Sequence, residues 1–92
     1  MIKSFLHKGL KRFYQTGSTV GINAQHKDKI RVRLSALDTA LKIDDLNLPS
    51  FDLHPLKGNR KNPWSISVND NWRITFEFEN GNIYIINYED YH

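Results

Sequence analysis

Two histidines with basic, acidic and phenolic neighbours stand out in this chain. His54 begins the segment HPLKG, which also contains Lys57, and the final residues include Asp90, Tyr91 and His92. An imidazole, with an ordinary pKa of about 6.5, can take or give a proton near neutral pH. A lysine can stabilise the charge that builds on phosphoryl oxygens. These residue types suit cleavage of RNA by its own 2′-hydroxyl, which needs one base, one acid and cations.

Further cations extend this candidate set. Arg73, in NWRITF, alternates with apolar residues, so we expect Arg73 and Thr75 on the sheet face opposite the core. Arg60 and Lys61 follow HPLKG in a loop. The nucleophile would be the substrate's own hydroxyl, and the sequence has no H-E-x-x-H motif, so we predict no metal and no cofactor. Pattern alone leaves other readings open, because Arg73 equally suits a cross-strand ion pair and HPLKG an ordinary turn.

The elements that would position these residues follow from the periodicity of the sequence. Helical spacing predicts a short helix over residues 7–15 and a longer one after an N-cap at Asn23, with an apolar stripe from Ile30 to Leu41. Asn80-Gly81 predicts a hairpin turn. Apolar runs and alternation predict strands over 2–6, 51–53, 64–68, 72–78 and 83–87. We therefore predict one α+β domain over residues 1–92, with an N-terminal strand and two helices packed on an antiparallel sheet.

Charge is unevenly divided along the chain. The net charge is +3, but residues 1–42 hold nine basic and two acidic residues, and residues 43–92 hold four basic and eight acidic ones. A basic half suits a polyanion such as RNA, an acidic protein surface, or a solvated helical face. The candidates for RNA or ribosome contact in this half are Lys8, Lys11, Arg12, Lys27, Lys29, Arg31 and Arg33.

Composition narrows the class of protein. Hydrophobic residues make up 39% and charged residues 25%, as in an ordinary globular domain. There is no cysteine, which excludes disulfides and thiolate metal sites. No apolar run suits a secretion signal or a membrane span, so we predict a cytoplasmic protein without membrane contact.

Three segments carry a resemblance to a known family. LHPLKGNR (53–60), NWRITFEF (71–78) and YEDYH (88–92) resemble the signature of the HigB toxins, in the RelE/ParE superfamily, and the likeness extends over essentially the whole chain. The resemblance implies a RelE-like, microbial-ribonuclease-like fold. It implies a ribosome-dependent endoribonuclease that cuts messenger RNA in the decoding site. It also implies a HigA antitoxin with a helix-turn-helix domain, which silences the toxin and carries it to operator DNA.

The same resemblance implies roles for three residues of the central segments. His54 resembles an active-site residue of the family. Lys57 matches a lysine that binds phosphate or stabilises the transition state, and Arg73 an arginine that faces the scissile phosphate. The sequence departs from the family pattern at Asn59 and Pro63, which leaves the roles of the loop cations Arg60 and Lys61 open.

The terminal segment matches the family's C-terminal catalytic group. On this reading His92 is the principal proton-transfer residue, Asp90 orients or tunes an imidazole, and Tyr91 contacts RNA or assists proton transfer. Which of His54 and His92 acts as base and which as acid stays open, since coupled groups share their titration.

A second class of function, inhibition without RNA cleavage, also fits the resemblance. Superfamily members of the ParE kind share the fold and inhibit DNA gyrase without cutting RNA. Histidines in HPLKG and YEDYH favour the nuclease, because an inhibitor has no need of them on a substrate face. The sequence also leaves open whether the basic first half meets ribosomal RNA or an antitoxin.

Overall fold

The computed structural model describes residues 1–58, 61–69 and 71–91. Two helices pack against a four-stranded antiparallel sheet of order β1-β2-β3-β4, which confirms the predicted α+β architecture. No helix among these residues has the length and apolar character needed to cross a membrane. The elements are α1 (Lys8–Thr16), α2 (Lys27–Thr39), β1 (His54–Pro55), β2 (Pro63–Ser67), β3 (Trp72–Glu79) and β4 (Asn82–Asp90), with short 3-10 helices at Ala24–His26 and Ile43–Leu46.

Helix α1 is bounded by two local signals. The Nδ1 atom of His7 accepts the backbone N–H of Leu10 at 3.0 Å, and this caps the first turn. At the other end Gly17 adopts a left-handed conformation (φ 80°) and donates its N–H to the carbonyl of Phe13. Leu10 and Phe13 are buried, so the helix turns its apolar side to the core and its basic side to solvent.

Most of the apolar stripe predicted for the longer helix is buried, but its last member, Leu41, is not. Asn23 acts as an N-cap, but of the 3-10 turn that precedes α2. Ile30 and Leu37 are fully buried. Leu41 is 83% exposed, contrary to the prediction, because α2 ends at Thr39 and the backbone N–H of Leu41 bonds the Asp45 side chain instead.

The sheet follows the predicted alternation around its central strand. In β3, Ile74 and Phe76 are fully buried against the helices. The turn at Asn80-Gly81 joins β3 to β4, as predicted, and both residues have positive φ. No strand forms at 51–53, where Asp52 has a φ of 48° that breaks the extended conformation, and the first strand is only His54–Pro55.

Strand β4 lies between β3 and the N-terminal segment. The predicted strand at 2–6 is reduced to two parallel bridges, Ile2 to Ile83 and Phe5 to Ile86. The N-terminal ammonium of Met1 also donates to the carbonyl of Gly81 at 2.7 Å. The start of the chain therefore covers the outer edge of the last strand, which explains why Ile83 and Ile86 are buried there.

A β-bulge interrupts the pairing of β3 with β4. Thr75 pairs with Asn87 but Glu77 pairs with Tyr84, so β4 contains one extra residue. Ile85 takes up this residue with a φ of 55° and is 39% exposed. Because side chains alternate with a period of two, the extra residue exchanges the faces to which later residues of β4 belong.

Candidate functional site

The polar face of the sheet brings together residues from all four strands. The register aligns His54 with Ser65, Ser65 with Thr75, and Thr75 with Asn87. Two residues along the strands, and so on the same face, Arg73 pairs with both Ser67 and Glu89. Directly opposed residues share a face, so the register places His54 and Arg73 on the same side of the sheet.

Arg73 and His54 meet at Asp52. The Arg73 guanidinium donates to the Asp52 carbonyl at 2.7 Å and to its carboxylate at 3.3 Å, and a third N–H donates to the Ser65 hydroxyl at 2.9 Å. The Nδ1 atom of His54 lies 2.8 Å from the same carbonyl and 3.5 Å from the carboxylate. A carbonyl only accepts, so the 2.8 Å contact assigns the proton to Nδ1, and Nε2 is the nitrogen that can accept a further proton.

A second acidic residue, Glu89, lies directly across from Arg73. Its carboxylate accepts the Thr75 hydroxyl at 2.8 Å. Thr75 is fully buried, and so the sheet face that the alternation predicted to be open is covered at this point. Sequence reasoning missed both Asp52 and Glu89 as site residues, since Asp52 lies in no motif and the candidates chosen from YEDYH were Asp90, Tyr91 and His92.

The bulge in β4 changes the expected place of Asp90. Simple alternation from the buried Ile83 would put Asp90 on the Arg73 face. The extra residue at Ile85 reverses this, so that Glu89 pairs with Arg73 and Asp90 pairs with Trp72, whose row of side chains faces the helices. The register therefore places Asp90 next to the Arg73–Glu89 pair but on the side of the helices.

The chain end is fastened beyond the last strand. Tyr91 donates its backbone N–H to the carbonyl of Asn71 at 2.6 Å, and its side chain is 43% exposed. The predicted proton-transfer residue His92 and the loop residue Arg60 lie outside the described residues. The cations Lys57 and Lys61 are both exposed on the segment that joins β1 to β2.

A buried polar cluster lies beneath the start of this terminal segment. His26, only 6% exposed, bonds the Tyr88 hydroxyl through Nδ1, and its Nε2 lies 2.7 Å from the Asn69 side-chain nitrogen. The Asn69 oxygen is already occupied by the backbone N–H groups of Asn71 and Trp72. The nitrogen facing His26 is therefore the amide NH₂ group, so Nε2 accepts and Nδ1–H donates to Tyr88.

The pKa values of the two titratable side chains in this cluster are shifted in opposite directions. Burial lowers the pKa of His26, and the nearby Lys29 ammonium lowers it further. Burial raises the pKa of Tyr88, as does the charge of Asp90, against a lowering by the Asn23 backbone N–H. Tyr88 also stacks on Trp72 with ring centroids 4.5 Å apart. No spacing in the sequence signals this cluster, whose members come from three separate elements.

The basic residues of the first half separate into two kinds. Those of α1 and three of those in α2 are exposed, as predicted. Arg33 differs, since it is only 4% exposed and its side chain reaches into the protein toward Ser67. Its burial corrects the prediction of a surface position. The exposed members are Lys8, Lys11, Arg12, Lys27, Lys29 and Arg31.

Beside Arg73 the structure forms a polar cleft of about 470 Å³, between α2 and the strands. Its charged lining residues are Lys29, Arg33, Asp52 and Arg73. Within the described ranges, no group of three or more His, Cys, Asp or Glu side chains is placed to hold a metal ion. The arrangement provides an imidazole, a held guanidinium and further cations, which can move protons and stabilise phosphoryl charge.

Two comparisons with known proteins bear on this geometry. The family described as the RelE-like toxin of type II toxin-antitoxin system HigB matches residues 3–92. A protein from Proteus vulgaris named Endoribonuclease HigB is 59% identical over 92 residues, covering 100% of both chains.

Proposed function

This chain belongs to the family of RelE-like HigB toxins of type II toxin–antitoxin systems, and on that premise we propose that it is an endoribonuclease that cuts messenger RNA on the ribosome. The observation that carries the proposal is the His54 imidazole held beside Arg73 on the polar face of the sheet. This pair occurs in a chain that is similar over its full length to a protein named as an endoribonuclease.

The reaction we propose uses the ribose 2′-hydroxyl as nucleophile. A base removes its proton, the 2′-oxygen bonds to phosphorus, and the bond from phosphorus to the 5′-oxygen breaks as an acid protonates that leaving oxygen. The products are a 2′,3′-cyclic phosphate and a 5′-hydroxyl end. The nucleophile belongs to the substrate, so this mechanism itself requires no metal ion.

Each proposed catalytic residue has a distinct task. His54 exchanges a proton through Nε2, since its Nδ1 is bound at the Asp52 carbonyl. Arg73 and the exposed Lys57 stabilise the negative charge on the phosphoryl oxygens. His92 is the proposed partner of His54 in proton transfer, with Asp90 and Tyr91 supporting it.

Family membership implies an antitoxin partner for this toxin. We propose that this partner is a HigA-type protein with a helix-turn-helix domain, and that the toxin reaches operator DNA only within their complex. The substrate complex is the translating ribosome, where the exposed basic residues of α1 and α2, together with Lys61 and the loop residue Arg60, are the proposed contacts for RNA phosphates.

Primer extension on messenger RNA in a translating extract tests the proposal. Wild-type protein should produce cuts within codons only when ribosomes are present. His92→Ala and His54→Ala should each lower cutting by roughly 10²-fold or more, as loss of one proton-transfer group does. Gln15→Ala, a neutral change on exposed α1, serves as control and should cut like wild type.

The same assay distinguishes the proposal from the gyrase-inhibitor class. Intact transcripts in cells that arrest and show DNA-damage signalling would contradict the nuclease and favour the inhibitor. Cutting that persists in His92→Ala but is lost in His54→Ala would keep the nuclease and move proton transfer to the Asp52–His54–Arg73 group.

A further inference from the structure

The cleft beside Arg73 contains a second arginine, Arg33, which is buried and has no role in the proposed reaction. Arg33 projects from α2 and is 4% exposed. Its guanidinium donates to the carbonyl of Ser67 at 2.5 Å, to that of Lys29 at 3.2 Å, and to Ser50 at 3.4 Å. It also lies over the Phe51 ring, 4.6 Å from the centroid. Every one of these partners is neutral.

A buried charge normally has an ionic partner, because burial without one is costly. None of the ion pairs formed within residues 1–58, 61–69 and 71–91 includes Arg33. Carbonyls and the aromatic face satisfy its donors but do not cancel its charge. The positive potential of Arg33 therefore extends into the cleft that it lines.

The other charged groups leave one end of the cleft positive. Asp52 is the acidic residue among its lining groups, and its carboxylate is 3.3 Å from Arg73. Lys29 is exposed at the Arg33 end. Ser67, which accepts from Arg33, pairs directly with Arg73 across the sheet. The Lys29–Arg33 end thus adjoins the Arg73 site but keeps a surplus of positive charge.

We propose that the Lys29–Arg33 end of this cleft is a subsite for the RNA phosphate that neighbours the cleaved one. It rests on the proposed function, in which Arg73 stabilises the reacting phosphate. Lys29 contacts the neighbouring phosphate from the open side, while Arg33 supplies a fixed charge beneath it. Backbone phosphates carry no sequence information, so this subsite would fix the position of the strand and not select a base.

An NMR titration tests the subsite without requiring cleavage. The probe is an RNA trinucleotide with 2′-deoxyribose at the scissile position, which removes the nucleophile and leaves two phosphates. Lys29→Ala should weaken binding about fivefold at low salt, as for an exposed ion pair. It should also reduce the slope of log affinity against log salt by about 0.7, the share of one phosphate on a single strand.

Matched variants identify the cause of any loss. Lys3→Ala removes an exposed lysine that neither lines the cleft nor belongs to the candidates for RNA contact, and it should bind like wild type. Arg33→Gln keeps hydrogen-bond donors without the charge and should also weaken binding. If Arg33→Gln fails to fold, the exposed Lys29 still provides the test.

A second trinucleotide probe carries a neutral methylphosphonate in place of the second phosphate. The proposal requires that wild type and Lys29→Ala bind this probe equally. Equal effects of Lys3→Ala and Lys29→Ala, or no salt-dependent binding by wild type, would overturn it. A wild-type protein that binds the phosphates as described but cuts no messenger RNA would overturn the proposed function and leave the subsite standing.

Discussion

The backbone of Asp52 has a φ of 48°, a left-handed conformation that aspartate tolerates better than most residues. This conformation turns the Asp52 carbonyl toward both His54 and Arg73. Its carboxylate approaches the same two side chains, at 3.5 Å and 3.3 Å. We infer that Asp52 is a positioning residue, since it acts on RNA through the two groups that it holds.

Replacing Asp52 by Asn separates the charge from the backbone contact. Asn tolerates the left-handed conformation, so the carbonyl should keep holding His54 and Arg73. We expect the cleavage rate at saturating ribosomes to fall about tenfold, far less than the ~10⁴-fold seen when the orienting Asp of a Ser-His-Asp triad is replaced. Binding of the trinucleotide should not weaken, because a negative charge leaves the cleft.

Asp44→Asn serves as control, as an exposed acid outside this site. Single-turnover rates measured with ribosomes at several toxin concentrations separate rate from affinity. An unchanged rate in Asp52→Asn, or a loss that appears only in affinity, would contradict the positioning role.

Among the elements, the His26 cluster joins the turn before α2, the β2–β3 turn and β4. Protonation of Nε2 would place two donors face to face, because Asn69 presents its NH₂ group there. His7 at the start of α1 also has its pKa lowered by burial, and its Nδ1 must stay free to cap the helix. Both imidazoles are therefore harder to protonate in the folded protein than in the unfolded chain.

The lowered pKa values of these two histidines determine the sign of the pH dependence of folding stability. Below about pH 6.5 the unfolded chain binds more protons at His26 than the folded one does, so stability falls as the pH falls. We expect the unfolding free energy to decline toward pH 5 by at most about 1.4 kcal/mol per pH unit for each such histidine. The slope in His26→Gln should be smaller, which urea unfolding at several pH values would measure.

Other titratable and charged groups surround His26. Lys29 faces it from α2, and Tyr88, whose own pKa is raised by the charge of Asp90, contacts it from β4. His7→Asn, which retains a capping side chain, isolates the second histidine. A His26→Gln slope equal to that of wild type would show that His26 does not titrate in this range.

The sequence predicts the strands that carry the site but only part of their pairing. Alternation and the Asn80-Gly81 turn identify β3 and β4, and they place Arg73 opposite the core correctly. They do not predict the face on which Asp90 lies, because nothing in the sequence signals the positive φ of Ile85 or the bulge in which it lies. The pairing of Arg73 with Glu89 depends on that bulge and has no local signal. The same holds for Asp52, whose importance comes from a turn and not from a motif.

At the scale of the whole molecule, the basic first half and the acidic second half meet at the cleft. The exposed cations of α1 are separate from it, as none of them lines the cleft. They are therefore available for a different contact, either with ribosomal RNA or with an antitoxin. A salt titration can decide between these two.

We expect a variant with Lys8, Lys11 and Arg12 all changed to Ala to bind ribosomes with a weaker salt dependence. Three lost phosphate contacts would lower the slope of log affinity against log salt by about 2 to 3. Co-sedimentation with ribosomes at several salt concentrations measures this slope. The neutral double change Gln15→Ala and Thr16→Ala on the same helix is the control, with stability checked by urea unfolding.

An unchanged slope together with weaker antitoxin binding would contradict a ribosomal role for α1 and assign its cations to the antitoxin. Loss of both contacts would indicate that the two partners compete for the same surface, and would predict that an antitoxin-bound toxin cannot dock.

The parallel bridges from Ile2 to Ile83 and from Phe5 to Ile86 have a consequence for how the protein is made. A ribosome that translates this chain releases its first residues long before their sheet partners exist. The edge of the sheet cannot close until nearly all of the chain has emerged, because contacts this distant in sequence form late. The nascent chain therefore lacks its finished fold until nearly all of it has left the ribosome that synthesises it.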